Sequence, residues 1–133
     1  MGEQKSLHAG AASKLLLAGM SDAEIAGWLA RADLQRFTKT TLTSPAGLKR
    51  EIAAIRRQGF AEGWDERNSG GAGVAAPLFG PSGALLGALS AAIPTRRYGA
   101  DLKRRTRALV TESAAAISRH LGAPPDAQLG SRP

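Results

Sequence analysis

The segment 73-GVAAPLFGPSGALLGALSAAIP-94 holds two apolar runs, residues 73–79 and 85–94, on either side of Gly80-Pro81-Ser82-Gly83. Pro presets the φ angle at the second position of a turn, and Gly tolerates the conformation at its exit. Two apolar runs around such a turn predict an antiparallel β-hairpin.

One face of this predicted hairpin is poor in side-chain volume. If Gly80 and Gly83 close the turn, Gly73 lies opposite Ser90 and Pro77 lies opposite Leu86, at a pair that needs no N–H from Pro. Because side chains alternate along a strand, six small residues share one face: Gly71, Gly73, Ala75, Ala88, Ser90 and Ala92. The other face carries Val74, Ala76 and Leu78 with Leu85, Gly87 and Leu89. A single bulge would exchange the faces. The small face leaves space for a close-packed helix or for a ligand.

Helices are predicted on both sides of the hairpin. The first covers Ala11 to Ala18, the second follows the N-cap Ser21, and the third begins at Ser44-Pro45 and stops at Gly59. A short strand is predicted from Phe60 to Trp64. The last helix is predicted from about Ala100 to Leu121, and its buried stripe is expected to contain Leu102, Leu109, Val110, Ile117 and Leu121.

This order of elements predicts an α+β domain with an antiparallel sheet. We expect one domain over residues 1–122 and, from its composition, a disordered tail over residues 123–133. Three strands make a thin sheet for four helices, so we expect strands that complete the sheet to be missing.

Composition limits the class of protein. The chain has 133 residues, of which 43% are hydrophobic, enough for one domain with a core. It has no apolar run of about 18 residues and no signal-peptide pattern at its start, so we expect no membrane partner. The sequence contains no Cys, which excludes disulfides and thiolate catalysis. These features fit a cytoplasmic protein.

The net charge is +7, from 18 basic and 11 acidic residues. Basic residues cluster on two predicted helices, around Lys49, Arg50, Arg56 and Arg57 and from Arg96 to Arg107. Such clusters are typical of a nucleic-acid surface or of solvated helix faces. Aromatic residues do not interleave with these charges as a stacking platform requires, so we prefer solvated faces.

The chain carries no catalytic motif. His8 and His120 are too isolated in sequence to indicate a metal site, and Ser90 lies in Gly-Ala-Leu-Ser-Ala rather than in a nucleophile elbow. The adjacent acids Asp65 and Glu66 are more typical of a solvated turn than of an acid/base pair. We therefore expect neither an enzyme nor a cofactor.

Four segments in colinear order carry a family resemblance. They are 7-LHAGAASKLLLA-18; 37-FTKTTLT-43 with 48-LKREIAAIRRQGF-60; Asp65-Glu66 and Gly70 with 75-AAPLF-79; and 88-ALSAAIP-94 with 114-AAAISRHLG-122. Together they resemble the C-terminal effector-binding domain of the IclR family of bacterial transcription regulators, over roughly residues 6–122.

The resemblance implies a small-molecule sensor that forms a dimer or tetramer. In the family, a winged helix-turn-helix binds DNA, and a metabolite, often a small organic or aromatic acid, binds the concave face of an antiparallel, GAF-like sheet. The resemblance places ligand-binding residues at Ala11, Ala12, Gly63, Gly73, Ser90 and Ala92. Three of these already lie on the small face of the predicted hairpin.

The chain departs from the family pattern in two ways. Relatives commonly carry Asp where this chain has Gly63, Cys where it has Gly73 and Ser where it has Ala92, which favours a larger or more apolar ligand, or none. The winged helix-turn-helix and the opening strands of the family precede the matched region, so we expect no operator binding by this chain alone. The alternative function is a structural module whose exposed sheet edge pairs with another protein.

Overall fold

The structure is a computed structural model that describes residues 6–130. Residues 1–5 and 131–133 lie outside the described residues. The predicted absence of a signal peptide falls on the first of these segments, and the end of the predicted tail falls on the second. The described elements are α1 (Ala11–Ala18), α2 (Asp22–Leu29), α3 (Pro45–Gln58), β1 (Ala61–Trp64), β2 (Gly71–Phe79), β3 (Leu85–Pro94), a 3₁₀ turn (Thr95–Arg97) and α4 (Ala100–His120). This is the predicted order of helices and strands.

The predicted helix ends are confirmed in atomic detail. The Ser21 side chain accepts from the Glu24 N–H at 3.2 Å, and the Glu24 carboxylate accepts from the Ser21 N–H at 2.9 Å, which forms a capping box. Ser44 accepts from the Gly47 N–H at 3.0 Å. Gly59 ends α3 with φ 83°, a left-handed conformation that Gly adopts without strain.

The sheet has the order β1-β2-β3, and both pairs of strands are antiparallel. The predicted hairpin register is wrong: Gly73 pairs with Ala92, Ala75 with Ser90 and Pro77 with Ala88. Two features cause the shift. The loop is one residue longer than predicted, since the Gly80 N–H donates to the Ala84 carbonyl at 2.9 Å and Gly83 has φ 79°. A bulge then leaves one extra residue in β3, beside Leu78 and Phe79.

The two shifts together move the register by an even number of residues. Gly73, Ala75, Ala88, Ser90 and Ala92 therefore share one face, as predicted. Leu85 is the exception. It lies beyond the bulge and packs with the core on the small-residue side rather than with Val74.

Two apolar clusters cover the two faces of the sheet. On the small-residue face, α1 and α3 bury Leu15, Leu17, Leu48 and Ile55 against Ala61 and Ala75. On the other face, α4 packs Val110 and Ala114 over Ala72, Val74 and Ala76. The candidate ligand site lies at the end of the first cluster, where α1 begins at Ala11.

The predicted stripe of α4 is wrong for three of its five residues. Leu109, Ile117 and Leu121 are 66%, 39% and 44% exposed, and the buried residues of the helix are Thr106, Val110, Ala114 and Ser118. The small side chains of β2 admit a helix with small side chains at the contact. The Ser118 hydroxyl also accepts a hydrogen bond from the Phe79 N–H at 3.0 Å, which fixes this face toward the sheet.

Residues 123–130, which composition predicted to be disordered, pack against the fold. Gly122 has φ 85°, and the Gly122 and Ala123 N–H groups donate to the carbonyls of Arg119 and Ser118 at 3.0 and 2.9 Å, forming a Schellman motif. The motif turns the chain back, and Leu129 is 9% exposed in the core beside α3. No helix within residues 6–130 has the length and apolar character to cross a membrane.

Candidate ligand site

The start of α1 lies directly on the small-residue face of the sheet. Gly63 of β1 pairs with Gly73 of β2, which pairs in turn with Ala92 of β3. A Cβ atom at position 63 would lie 2.9 Å from the Ala11 nitrogen, and one at position 73 would lie 3.8 Å from the Ala11 Cβ. Close packing of a helix therefore accounts for the missing side chain at Gly63, whereas a Cβ at position 73 would meet the Ala91 carbonyl oxygen most closely, at 3.1 Å.

The same face is open on β3. Ser90 and Ala92 are exposed on this outer strand, beside α1, which contacts all three strands. The Ser90 hydroxyl has no hydrogen-bond partner among residues 6–130. Of the six predicted residues, Ala11, Gly63, Gly73 and Ala92 lie side by side, Ser90 lies two positions further along β3, and Ala12 is half-buried next to Ala11. They form a surface beside a helix start rather than an enclosed cavity.

The start of α1 has no side-chain cap, and the carboxylate that lies next to it, that of Glu66, accepts from the Gly10 N–H rather than from Ala11 or Ala12. The N-cap of α1 is Gly10, which has no side chain to cap the helix, and the first turn holds no acidic residue. The backbone N–H groups of Ala11 and Ala12 therefore stand at the positive end of the helix dipole without a side-chain cap. Such a helix start favours a carboxylate or phosphate.

A buried cation fixes α1 in this position. Lys14 is 1% exposed, and its Nζ lies 2.8 Å from Glu51 Oε1 and 2.7 Å from Glu66 Oε1. It also donates to the Glu62 carbonyl at 2.7 Å. Sequence reasoning did not identify this network, although Lys14 is the one charged residue in the apolar helix AASKLLLA.

The carboxylates of the adjacent acids Asp65 and Glu66 accept hydrogen bonds that hold the surrounding backbone in place, a structural role rather than an acid/base one. Asp65 has φ 51°, and its Oδ1 accepts from the Gly70 N–H and from the Thr95 hydroxyl, both at 2.7 Å. Glu66 Oε2 accepts from the Gly10 N–H at 2.9 Å, next to the start of α1. The acidic loop thus holds the helix start in place.

The two histidines have different surroundings in the fold and do not form a common site. His8 is buried, its Nε2 lies 2.8 Å from the Gln35 carbonyl, and its ring stacks on Phe37 at 5.5 Å. His120 is exposed at the end of α4. No cluster of three potential metal ligands exists within the described part of the chain.

Comparison with known proteins identifies the family. A family model described as "Bacterial transcriptional regulator IclR C-terminal" matches residues 1–119. The HTH-type transcriptional regulator KdgR of Dickeya chrysanthemi is 30% identical over 122 residues, which are 92% of this chain and 40% of that relative.

Two solved structures show the same fold. An IclR transcriptional regulator from a Silicibacter species has a TM-score of 0.84 at 32% identity, with 94% of this chain and 51% of that chain covered. The C-terminal domain of E. coli KdgR has a TM-score of 0.83 at 29% identity, with 92% of this chain and 74% of that chain covered.

The chain therefore belongs to the IclR family of bacterial transcriptional regulators. The part of the family that it matches is the C-terminal, effector-binding domain. The predicted resemblance and the predicted antiparallel α+β fold are confirmed, and the matched relatives are regulators rather than enzymes, as predicted. Because the chain spans 40% of the length of the Dickeya regulator, the activity and partners of a whole regulator are proposals for it.

Proposed function

We propose that this chain is the effector-sensing and oligomerising part of an IclR-type regulator. The observation that carries the proposal is the uncapped start of α1 beside the unpartnered Ser90 hydroxyl, on a face that β2 and β3 line with Gly and Ala. In this proposal, DNA is bound only through a winged helix-turn-helix that is not among these 133 residues, and the regulator works in the cytoplasm.

The proposed effector is a small organic or aromatic acid. Its carboxylate would accept from the N–H groups of Ala11 and Ala12, and Ser90 would orient it with one further hydrogen bond. Gly63, Gly73 and Ala92 supply no side-chain polar group. The rest of the ligand therefore meets an apolar surface, which favours an aromatic over a hydroxylated body.

The test is ligand-induced thermal stabilisation with acetate, succinate and benzoate as probes. We expect benzoate to raise the unfolding temperature most and Ser90→Phe to abolish the increase, because the ring fills the face. Ser82→Phe, in the exposed hairpin turn, is the matched control and keeps the increase. Equal stabilisation of Ser90→Phe and the natural chain by benzoate would refute the site.

Oligomerisation is the second part of the proposal. The exposed Leu109 and Ile117 of α4 lie on a helix that already buries its other face, so they are available for a second copy. An apolar face of this kind supports a dimer, and two such contacts support a tetramer.

One observation favours the alternative of a purely structural module. β3 is an outer strand of ten residues, and it carries no charged side chain. Natural edge strands usually carry charges or are covered, so an uncharged edge favours pairing with a strand of another protein. This alternative would be supported if the chain formed a stable complex with another protein while none of the three acids raised its unfolding temperature.

A further inference from the structure

A cavity of about 740 Å³ lies between α3, α4 and residues 123–129, and Ser90 does not line it. It exists because β1 is short. β1 pairs with residues 72–75 of β2, so the next residues of β2, Ala76 to Phe79, have no paired strand on that side within residues 6–130. α3 ends at Gly59, just before β1 begins, so α3 lies beside this part of β2, and α4 and residues 123–129 line the rest of the space.

The rim of this cavity is cationic. Of residues 6–130, three arginines line it, Arg56, Arg57 and Arg119, and no acidic residue does. Arg56 is committed to the fold: it donates to the carbonyls of Ala18 and Met20 at 3.0 and 2.6 Å and pairs with Asp22 at 2.7 Å. Arg57 and Arg119 are exposed and form no ion pair within residues 6–130.

The floor of the cavity is apolar. It is formed by Ala76, Pro77, Phe79, Ala114 and Leu129. No free backbone N–H of Pro77 or Phe79 breaks this apolar surface. Pro77 has no N–H, and the Phe79 N–H, which points to the same side of the strand, is bound by Ser118. The Thr111 hydroxyl donates to the Arg107 carbonyl at 2.7 Å.

We propose that this cavity is a second ligand site, which takes an amphipathic anion: a carboxylate held by Arg57 and Arg119 and an aromatic or aliphatic body on the floor. Guanidinium groups bind carboxylates through paired, charge-assisted hydrogen bonds. The volume lies within the range of small-molecule sites. Neither Ser90 nor any residue of α1 lines this cavity, so this proposal does not depend on the effector site at α1.

The consequence is a link between ligand and the end of the chain. Residues 123–129 form one wall, and Leu129 anchors them in the core beside α3. A ligand that contacts both α4 and this wall binds the packed arrangement of residues 123–129 more tightly than any opened one. It therefore stabilises that arrangement.

The experiment uses the full chain with 2-naphthoate as the probe and 2-naphthamide, its neutral counterpart, as the chemical control. We expect saturable binding of naphthoate by calorimetry and amide shifts in NMR spectra at Ala115, Ser118 and Leu129. Naphthamide is expected to bind at least tenfold more weakly. The double variant Arg57→Gln/Arg119→Gln should lose tenfold or more in affinity, and Arg104→Gln/Arg105→Gln, on the exposed side of α4, should lose little.

Two further variants separate this site from the one at α1. Ala115→Trp places a ring in the cavity from an exposed position of α4 and should remove the shifts at Ser118 and Leu129. Ser90→Phe should leave them unchanged. The proposal is overturned if naphthoate does not bind, if the Arg57/Arg119 variant binds as well as the natural chain, or if Ser90→Phe removes the shifts in the cavity.

Discussion

At the scale of single residues, Lys14 is the side chain on which the site depends most. It joins α1 to α3, through Glu51, and to the acidic loop, through Glu66, while it is 1% exposed. This network of three charges stabilises only when it is complete, because removal of the cation leaves the largely buried Glu66 carboxylate with the Gly10 N–H but no positive charge. The Lys14 network therefore has a structural role: it holds the start of α1 in place and is not a candidate catalytic site.

We expect Lys14→Met to lower the free energy of unfolding by about 3–5 kcal/mol, as for other buried pairs that lose one partner. Urea denaturation measures the change. Arg104→Ala removes an exposed ion pair with Asp101 and is expected to change stability by less than about 1 kcal/mol. Adding Glu66→Gln to Lys14→Met should recover part of the loss, and no recovery would contradict the role of Glu66.

Tyr98 permits a clean pH experiment because it is the one tyrosine of the chain. Burial, together with the nearby Glu62 carboxylate that accepts its hydrogen bond at 3.1 Å, raises the pKa of Tyr98 to about 12 from the usual 10.0, and Arg107 acts in the opposite direction. The folded chain thus holds the phenol proton more tightly than the unfolded chain does. Its contribution to stability is complete below pH 10 and is lost as the pH rises toward 12.

The ultraviolet absorbance of the phenolate measures this pKa directly. We expect one transition near pH 12 in the folded chain and one near pH 10 in urea. Tyr98→Phe should remove both transitions and also the alkaline loss of stability, relative to the natural chain. A folded-state midpoint at or below 10 would contradict the burial and the contact with Glu62.

At the scale of elements, the contact between α1 and the sheet decides the geometry of the site. A Cβ at position 63 would lie 2.9 Å from the Ala11 nitrogen and 3.3 Å from the Gly10 Cα, both backbone atoms that move only with the helix. Gly87 is also in the sheet, but a Cβ there meets nothing within 4 Å. The two positions therefore separate helix packing from the general effect of Gly in a strand.

We expect Gly63→Ala to destabilise the chain by about 1–3 kcal/mol, as overpacking commonly does, and also to weaken benzoate binding because α1 must move. Gly87→Ala is expected to change stability by less than about 0.5 kcal/mol and to leave benzoate binding unchanged. Unfolding temperatures with and without benzoate measure both effects. Equal effects of the two substitutions would argue against close packing at Gly63.

The elements themselves were predictable where local signals act. Ser21, Ser44 and Gly59 mark helix ends through their own hydrogen bonds and backbone angles, and these predictions are confirmed. The hairpin faces were also predictable, but not the register, since the left-handed Gly83 and the bulge each add a residue that alternation does not reveal. The buried face of α4 was not predicted, because the helix turns its small side chains, rather than the larger Leu109 and Ile117, toward the small residues of β2.

The site was predictable only in part, for a related reason. The small face indicated either a helix or a ligand, and the fold places a helix over Gly63 and Gly73 while leaving Ser90 and Ala92 open. Lys14 gave one signal, a lone charge in an apolar helix, but its partners lie 37 or more residues away in sequence. The assignment of the six residues to a ligand remains a prediction.

At the scale of the whole molecule, two surfaces compete as the contact between copies. One is the outer face of α4 around Leu109, which is 66% exposed, and the other is the edge of β3 around Leu86, which is 63% exposed and pairs with no further strand in the described part of the chain. The effector-sensing proposal uses the face of α4 and leaves the sheet beside Ser90 accessible. Pairing through β3 would instead place a second strand next to Ser90 and Ala92.

Two matched substitutions distinguish these surfaces. We expect Leu109→Glu to convert an oligomer into the 13.8 kDa monomer, because a buried charge is costly in an apolar contact, while benzoate binding persists. Leu86→Glu introduces the same charge at similar exposure and should leave the oligomer intact. Sedimentation equilibrium measures the mass of each variant. The opposite result, a monomer from Leu86→Glu only, would identify the sheet edge as the interface and would favour the structural alternative, since that edge lies beside the site.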